Sequence, residues 1–349
     1  MNPLEKKLES LIDNKTKNYF VAFSGGVDST ALLYCVNETL KLVDGVSLTA
    51  LHINHNYSDK SSNWKKHCID FCNKWDINLL TYDLDISLIK GASLENQLRE
   101  LRYKIFEETL NAGGKIFLGH HLDDNVETLF LRLFRGTGLK GAKSIPFRRS
   151  LGKGELVRPF LDVAKKDIEA YAQEKELNFI NDDSNEDISF DRNFIRKEIL
   201  PLVEKRWPKY NYNLSKFIQN ANESYEIVLS QTEKDFNSVS SDKKNKIVLS
   251  KLISFPKNKQ KNIIIYWIDS LGLNIPNTKI LNEIVEKFVF AIKDKNPKFI
   301  WGTSEKEGSV CLKIKKDFLI AQSITWPIKS VNYCLKWSHN SILIYSDTP

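Results

Sequence analysis

The sequence predicts an α/β fold, a doubly wound parallel sheet, followed by a smaller, mainly helical domain and a short mixed C-terminal tail. Short apolar runs alternate with helical patterns from residue 19 to about 185. Such alternation is typical of a parallel sheet covered by helices. A glycine-rich turn joins the first apolar run to the first helix. From about Leu214, long polar helical patterns and clustered lysines replace the alternation, which indicates a second domain.

Four strands and five helices are predicted between residue 19 and about residue 185. The strands are 19–23, 47–53, 78–82 and 115–119. One helix begins at Thr30, and the other four span 59–75, 93–111, 122–134 and 163–177. Ser93 is the predicted N-cap of its helix. The stretch 136–144 is rich in glycine and lysine and predicts a flexible basic loop, and 193–207 predicts a helix interrupted at Pro201.

The second region begins with a long amphipathic helix at 214–236. A basic stretch follows at 242–261, with seven lysines and one acidic residue, Asp242. Helices are predicted at 260–271 and 278–291, and short strands at 299–345. These changes place domain boundaries near Asn213 and Lys298, which gives three predicted segments: 1–213, 214–298 and 299–349.

Composition narrows the class of protein. Lys and Arg number 51 against 44 Asp and Glu, and the net charge of +7 is compatible with a polyanionic partner such as nucleic acid. The five cysteines include no Cys-x-x-Cys pair, which favours reduced thiols in a cytosolic protein. The charged N-terminus lacks the apolar core of a signal peptide, and no apolar run reaches the length of a membrane span. We therefore expect a cytoplasmic protein without a membrane partner.

The glycine-rich turn is predicted to bind phosphate. Its glycines allow close approach of a ligand, and the following helix directs free N–H groups and its positive dipole end into the turn. It is not a Walker A loop, since no Gly-Lys-Ser/Thr follows. The alternative is an ordinary βα turn capped by Asp28 or Ser29. The candidate binding residues are Ser24, Gly25, Gly26, Val27, Asp28 and Ser29. This hexapeptide resembles the pyrophosphate loop of the N-type ATP pyrophosphatases, which cleave ATP to AMP and pyrophosphate.

An acidic helix start is the second candidate feature. Asp124 and Glu127 lie at i and i+3 of the predicted helix 122–134 and share one face. Two carboxylates beside a phosphate loop suit Mg²⁺ or the ammonium group of a cationic substrate. The alternative is that these acidic residues only interact favourably with the positive end of the helix dipole. A His/Asp zinc site is a weaker option, because zinc sites recruit several His or Cys ligands.

Two arginine pairs have helical spacing. Arg99 and Arg102 lie at i and i+3, and Arg192 and Arg196 lie at i and i+4. Arginine forks bind phosphate well. A solvated basic helix face is the alternative for both pairs.

Six landmarks occur in the order found in tRNA(Ile)-lysidine synthetases, and on them the chain resembles that family over residues 19 to about 201. Besides the hexapeptide, they are His52-Ile53-Asn54-His55, Glu95 to Tyr103, Gly119 to Gly141, Arg158-Pro159-Phe160-Leu161 with Asp183-Ser184-Asn185, and Arg192 to Pro201. The family usually has Asp where this chain has Asn54, and a Leu-Arg where it has Tyr57-Ser58, so an acid at that strand end is not expected to act here.

The resemblance implies a reaction and its participants. ATP adenylates the 2-oxygen of the wobble cytidine in an isoleucine tRNA with a CAU anticodon, and the amine of L-lysine then displaces AMP, so that the tRNA reads AUA and is charged with isoleucine. ATP and Mg²⁺ are the expected cofactors, tRNA and L-lysine the expected partners, and a homodimer is left open. The implied catalytic residues are Asp28, His120, Asp124, Glu127, Arg192 and Arg196, and the implied metal ligands are Asp28 and Asp124.

Two rival functions stay open at this point. One is a tRNA thiolation enzyme that uses the same adenylation, although its iron–sulfur form needs clustered cysteines that this chain lacks. The other is a nucleotide-binding regulator without turnover, which would have little use for the acidic helix or a basic second domain.

Overall fold

The structure, a computed structural model, describes residues 2–13, 15–54, 61–84, 94–180, 187–288, 298–302, 309–324, 334–338 and 341–345. The chain forms two compact units, Met1–Glu223 and Ser224–Pro349. No helix in these described ranges combines the length and the apolar character needed to cross a bilayer.

A six-stranded sheet forms the centre of the first unit. Its strands are β1 Asn18–Ala22, β2 Ser47–Asn54, β3 Asn78–Asp83, β4 Lys115–Phe117, β5 Arg148–Leu151 and β6 Gly154–Val157. The order is β3-β2-β1-β4-β6-β5, and every pairing is parallel except that of β5 with β6. The predicted parallel α/β fold is confirmed, and the hairpin β5–β6 is an addition that the sequence analysis missed.

Helices cover both faces of this sheet. They are α1 Pro3–Glu9, α2 Val27–Leu40, α3 Ser61–Lys74, α4 Leu94–Thr109, α5 Leu122–Phe134, α6 Leu139–Ala142 and α7 Lys165–Glu174. One face packs apolar side chains of α1, α2, α3 and α7, including Leu8, Leu32, Phe71 and Tyr171. The other face packs Phe106 of α4 and Leu110, which directly follows that helix. The sheet is therefore doubly wound, as predicted.

The region after α5 differs from the prediction. The expected flexible loop at 136–144 contains α6, and the Arg132 guanidinium holds it by donating to the carbonyls of Gly141 (3.1 Å) and Ser144 (2.7 Å). The helix predicted over 193–207 is built from α8 Asp191–Phe194, a π-helical turn Ile195–Ile199, and α9 Leu200–Arg206. Pro201 stands at the start of α9, where its missing N–H costs nothing.

The second unit combines helices with an antiparallel sheet. Helix α10 Tyr210–Val239 begins in the first unit and ends in the second, which also holds α11 Leu249–Ile253, α12 Lys257–Ser270, α13 Thr278–Glu283 and a π-helical turn Ile284–Phe288. The strands are β7 Lys246–Val248, β8 Lys298–Trp301, β9 Ser309–Lys315, β10 Phe318–Ile324, β11 Cys334–Ser338 and β12 Ser341–Tyr345, in the order β11-β12-β8-β9-β10-β7. The three segments divided at Asn213 and Lys298 remain predictions about independently folding domains.

Strand order fixes the place of the site. Strand β1 lies between β2, the next strand in the sequence, and β4, which pairs with its other edge. At such a reversal the connections leave on opposite faces, and a crevice opens beyond the carboxyl ends of the strands. The turn after β1 and the segment 118–121 after β4 both lie at that edge.

Candidate active site

The turn after β1 needs a glycine at position 25. Gly25 has φ +89°, a left-handed conformation that side chains disfavour. A Cβ there would lie 3.1 Å from Cys68 Sγ and 3.2 Å from Ile180 Cδ1. The Gly25 carbonyl also accepts a hydrogen bond from the Ile180 N–H at 2.8 Å. The first glycine therefore serves the fold of the loop itself.

Gly26 has a different role. Its φ of −74° and ψ of 161° suit any residue, and a Cβ would meet nothing closer than Ser24 Oγ at 3.7 Å. It is the N-cap of α2 and offers no side chain to that helix end. The first N–H groups of α2 are thus left to an anion, and the bare Cα allows that anion to come close.

The two serines of the loop bond to each other. Ser24 Oγ and Ser29 Oγ are 3.0 Å apart. Ser29 Oγ also accepts a hydrogen bond from the Ser24 N–H at 3.2 Å and donates one to the Gly26 carbonyl at 3.0 Å. Val27 packs against the core beneath the sheet. The hexapeptide is therefore a closed, internally bonded turn, with Gly26 and the start of α2 as its ligand-facing part.

His121 joins the loop to the acidic helix. It is the N-cap of α5: its Nδ1 accepts from the Asp124 N–H at 3.4 Å, while Asp124 Oδ2 accepts from the His121 N–H at 3.0 Å. Its Nε2 lies 3.7 Å from Asp28 Oδ2 and 3.5 Å from Asp124 Oδ2. Gly119 permits this approach, because a Cβ there would lie 3.1 Å from the Asp28 carbonyl. The two carboxylates therefore converge on one buried imidazole.

The environments of Asp28 and Asp124 suit a cation. Burial raises the pKa of Asp28, and its Oδ1 has no hydrogen-bond partner among the described residues. Burial also raises the pKa of Asp124, but the interaction with His121 and the charge of Arg192 outweigh it and hold that pKa below its usual value. Among described residues, no three His, Cys, Asp or Glu side chains form a metal cluster. Mg²⁺ needs only one or two carboxylates when phosphate oxygens complete its shell, so this pair fits it.

Glu127 is buried and held by two arginines. Arg196 Nε donates to Oε1 at 2.6 Å, Arg196 Nη2 to Oε2 at 3.0 Å, and Arg192 Nε to Oε2 at 2.7 Å. Arg192 Nη2 also donates to Asp124 Oδ1 at 2.8 Å. The predicted acidic face and the predicted arginine fork thus meet in one network. The acidic face is therefore not open to the crevice, and the arginines do not form a solvated basic face.

His120 is neutral at physiological pH. Burial lowers its pKa to about 3, against the opposing charge of Asp124, and its Nδ1 has no partner among the described residues. Such an imidazole accepts a proton poorly. Its suitable role is that of a neutral hydrogen-bonding group at the end of β4.

Four arginines surround Tyr103 of α4 at the same edge of the sheet: Arg99, Arg102, Arg149 and Arg158, which together we call the Tyr103 cluster. Burial raises the pKa of the Tyr103 hydroxyl, but the charges of Arg99, Arg158 and Arg102 outweigh it and lower that pKa. Arg158 directly follows β6 and is 2% exposed.

Most predicted site residues lie together. Ser24 to Ser29 lie in the turn after β1 and the start of α2, and His120 lies between β4 and α5. Asp124 and Glu127 lie in α5, Arg192 in α8, and Arg196 in the π-helical turn Ile195–Ile199. His55, Tyr57-Ser58, Ser93 and Asp183-Ser184-Asn185 lie outside the described residues. Two features were missed: His121 as the contact of both carboxylates, and Arg149 beside Tyr103. A histidine at a predicted N-cap, three residues before Asp124, could have indicated the first.

Comparison with known proteins identifies the family of the chain. A family described as PP-loop domain matches residues 1–203, and one described as TilS substrate binding domain matches residues 248–313. A tRNA(Ile)-lysidine synthase of Buchnera aphidicola is 35% identical over 89% of this chain and 70% of its own length. Those of Coxiella burnetii and Pseudomonas putida are 33% and 34% identical over 86% and 75% of this chain. The chain covers 66% and 62% of those two relatives.

A solved structure of U34-tRNA thiolase NcsA from Methanococcus maripaludis with its [4Fe-4S] cluster has a TM-score of 0.49 and 18% identity, over 63% of this chain and 78% of that one.

Proposed function

Because the chain belongs to the tRNA(Ile)-lysidine synthase family, we propose that it uses ATP to join L-lysine to carbon 2 of the wobble cytidine in a tRNA with a CAU anticodon. The convergence of Asp28 and Asp124 on His121, beside the start of α2, which has no side-chain cap among the described residues, is the observation that carries this proposal. A helix start that suits phosphate and two carboxylates that suit a cation would together stabilise the charge that develops when a nucleoside triphosphate is cleaved, which supports the proposal.

The first proposed step is adenylation. The cytidine 2-oxygen attacks the α-phosphorus of ATP, and the bond to pyrophosphate breaks. Gly26 and the first N–H groups of α2 bind the departing pyrophosphate. Asp28 and Asp124 would hold Mg²⁺ together with phosphate oxygens, and that ion would neutralise charge on the leaving group.

The second proposed step is displacement by lysine. The side-chain amine attacks carbon 2, AMP leaves with the 2-oxygen, and the amine loses a proton. A free lysine side chain has a pKa near ~10.4 and is an ammonium group at neutral pH, so the site must accept a proton from it before the amine can attack. His120 accepts it poorly because its pKa lies at about 3. The carboxylates near His121 are the better acceptors, and Asp28, whose pKa burial raises, is the stronger base of the two.

The lysine-rich stretch of the second unit is proposed to contact tRNA phosphates. Lys243, Lys244, Lys251 and Lys257 are exposed there. Lys259 instead forms an ion pair with Asp235 at 2.9 Å, and the Lys246 ammonium lies 5.8 Å from the Phe318 ring centre. The exposed lysines are therefore free to act in binding, whereas Lys259 acts in the fold.

Labelled lysine tests the proposal. The protein is incubated with ATP, labelled L-lysine and a CAU-anticodon tRNA, and label is measured in the tRNA. A matched transcript carries uridine at the wobble position. Label in the first tRNA and none in the second is the expected result. Label in neither, with ATP still bound, would favour the regulator without turnover.

A further inference from the structure

Tyr103 presents a stack of guanidinium groups at the edge of the first unit. The Cζ atoms of Arg149 and Arg99 lie 4.6 and 5.1 Å from the Tyr103 ring centre, and the Tyr103 hydroxyl accepts from Arg158 Nη2 at 3.2 Å and Arg99 Nη2 at 3.4 Å. Arg99 and Arg149 are exposed. A guanidinium stacked on a ring keeps its N–H groups at its rim, where they can donate to a phosphate.

Three arginines of this cluster have no balancing carboxylate among the residues that the structure describes. Within the described part of the chain, Arg99, Arg149 and Arg158 form no ion pair with a carboxylate. Arg158 is 2% exposed and donates from Nη1 to the Pro146 carbonyl at 2.7 Å, and its Nε has no hydrogen-bond partner among the described residues. Burying a charge without an opposite charge is costly, so an anion at this cluster would stabilise it.

The cluster lies at the crevice edge but away from the glycine loop. Arg149 of β5 is opposite Leu156 of β6, and Arg158 follows the last residue of β6, so both stand at the carboxyl ends of the parallel strands. Three strand spacings separate β5 from β1, which amounts to about 14 Å. A pyrophosphate seated at Gly26 therefore does not reach Arg149.

We propose that the Tyr103 cluster, with Arg149 as its outermost member, binds a backbone phosphodiester of RNA beside the nucleotide that enters the crevice. This inference rests on the proposed function, because that RNA is the proposed substrate. The phosphate of a polynucleotide extends along the crevice edge, whereas the phosphates of ATP are confined near the loop. Phosphate contacts of this kind position RNA without reading its sequence.

The neighbouring residue on the same strand provides a matched control. Arg148 is also exposed, but side chains alternate along a strand, and Arg148 interacts with Glu155 (3.7 Å) and lies over the Phe147 ring instead. Arg149→Ala and Arg148→Ala remove the same charge from adjacent positions. The probe is an anticodon stem–loop RNA, titrated without ATP or lysine at several salt concentrations, with ATP binding measured separately.

Arg149→Ala is expected to weaken RNA binding by about tenfold, while ATP affinity stays unchanged. The slope of the logarithm of the RNA binding constant against the logarithm of the salt concentration is expected to fall in magnitude by about one. Arg148→Ala is expected to match the unmodified protein. Equal RNA binding and equal slopes in the two variants would overturn the proposal, and so would a loss of ATP affinity in Arg149→Ala as large as the loss of RNA affinity. Because RNA binding is measured without turnover, failure of lysine transfer would not by itself produce either result.

Discussion

Arg196 grips Glu127 with a two-point fork: Nε donates to Oε1 at 2.6 Å and Nη2 donates to Oε2 at 3.0 Å. Arg192 Nε adds a third charged hydrogen bond to the same carboxylate at 2.7 Å. Glu127 is 1% exposed, so this is a buried charge network and not a surface ion pair. It connects the acidic helix α5 to α8 and the π-helical turn, which lie well apart in sequence.

Replacing Arg196 tests the importance of the fork. We expect Arg196→Ala to lower lysine transfer strongly and to reduce the free energy of unfolding by about 3 kcal/mol, because it leaves Glu127 buried with one partner fewer. Arg196→Lys should restore only part of the lysine transfer and part of the free energy of unfolding, since an ammonium group cannot donate along two parallel directions. Activity and urea unfolding are measured on the same samples. Full recovery by lysine would show that charge alone suffices.

Replacing Glu127 separates two substrates. We expect Glu127→Gln to raise the KM for lysine much more than the KM for ATP, because the described hydrogen bonds of Glu127 go to Arg192 and Arg196 and not to the glycine loop. The control is the double variant Glu127→Gln with Arg196→Met. The free energy of unfolding that the double variant loses should be smaller than the sum of the losses in the two single variants. We expect a difference of more than about 1 kcal/mol, because the two residues interact directly. Equal effects on both KM values would contradict a lysine-selective role.

The sequence predicts the first unit well because its signals are local. Alternating runs give β1 to β4, and Asp124 and Glu127 share a face through helical spacing. It could not predict that Arg192 and Arg196 hold those carboxylates, because this pairing depends on how α8 packs against α5. The hairpin β5–β6 was not predicted for a related reason: β6 is a short strand that pairs with β4, and its Leu156 is buried in a cluster with Phe106 of α4, both distant in sequence.

The two loop glycines should behave differently when each is changed to alanine. Gly26→Ala should leave the unfolding transition nearly unchanged and weaken ATP binding, because its Cβ has room in the protein but would occupy the ligand's approach. Gly25→Ala should instead destabilise the protein by about 2 kcal/mol, since φ +89° strains a side chain and Cys68 lies close. Calorimetric ATP titration and thermal unfolding measure both. Unchanged ATP affinity in Gly26→Ala would reject the phosphate assignment of the loop.

The lowered pKa of His120 makes stability depend on pH. In the unfolded chain this group titrates near 6.5, whereas in the fold its pKa is about 3. Between these values only the unfolded state binds the proton, so stability is complete above pH 6.5 and is lost as the pH falls. From pH 7 to pH 5 the loss from this group is about 2 kcal/mol. His120→Gln should show a correspondingly smaller loss in urea unfolding at the two pH values. An identical loss would contradict a buried neutral imidazole.

Omitting lysine tests the two-step account most directly. The protein is mixed with ATP and a CAU-anticodon tRNA, pyrophosphate and AMP are followed, and the anticodon fragment is weighed by mass spectrometry before and after lysine is added. Without lysine we predict pyrophosphate release, no AMP release and a fragment heavier by an adenylyl group. Addition of lysine should then release AMP and leave a fragment heavier by a lysyl group. An anticodon fragment of unchanged mass at both stages, or release of AMP and pyrophosphate that does not require tRNA, would contradict the account.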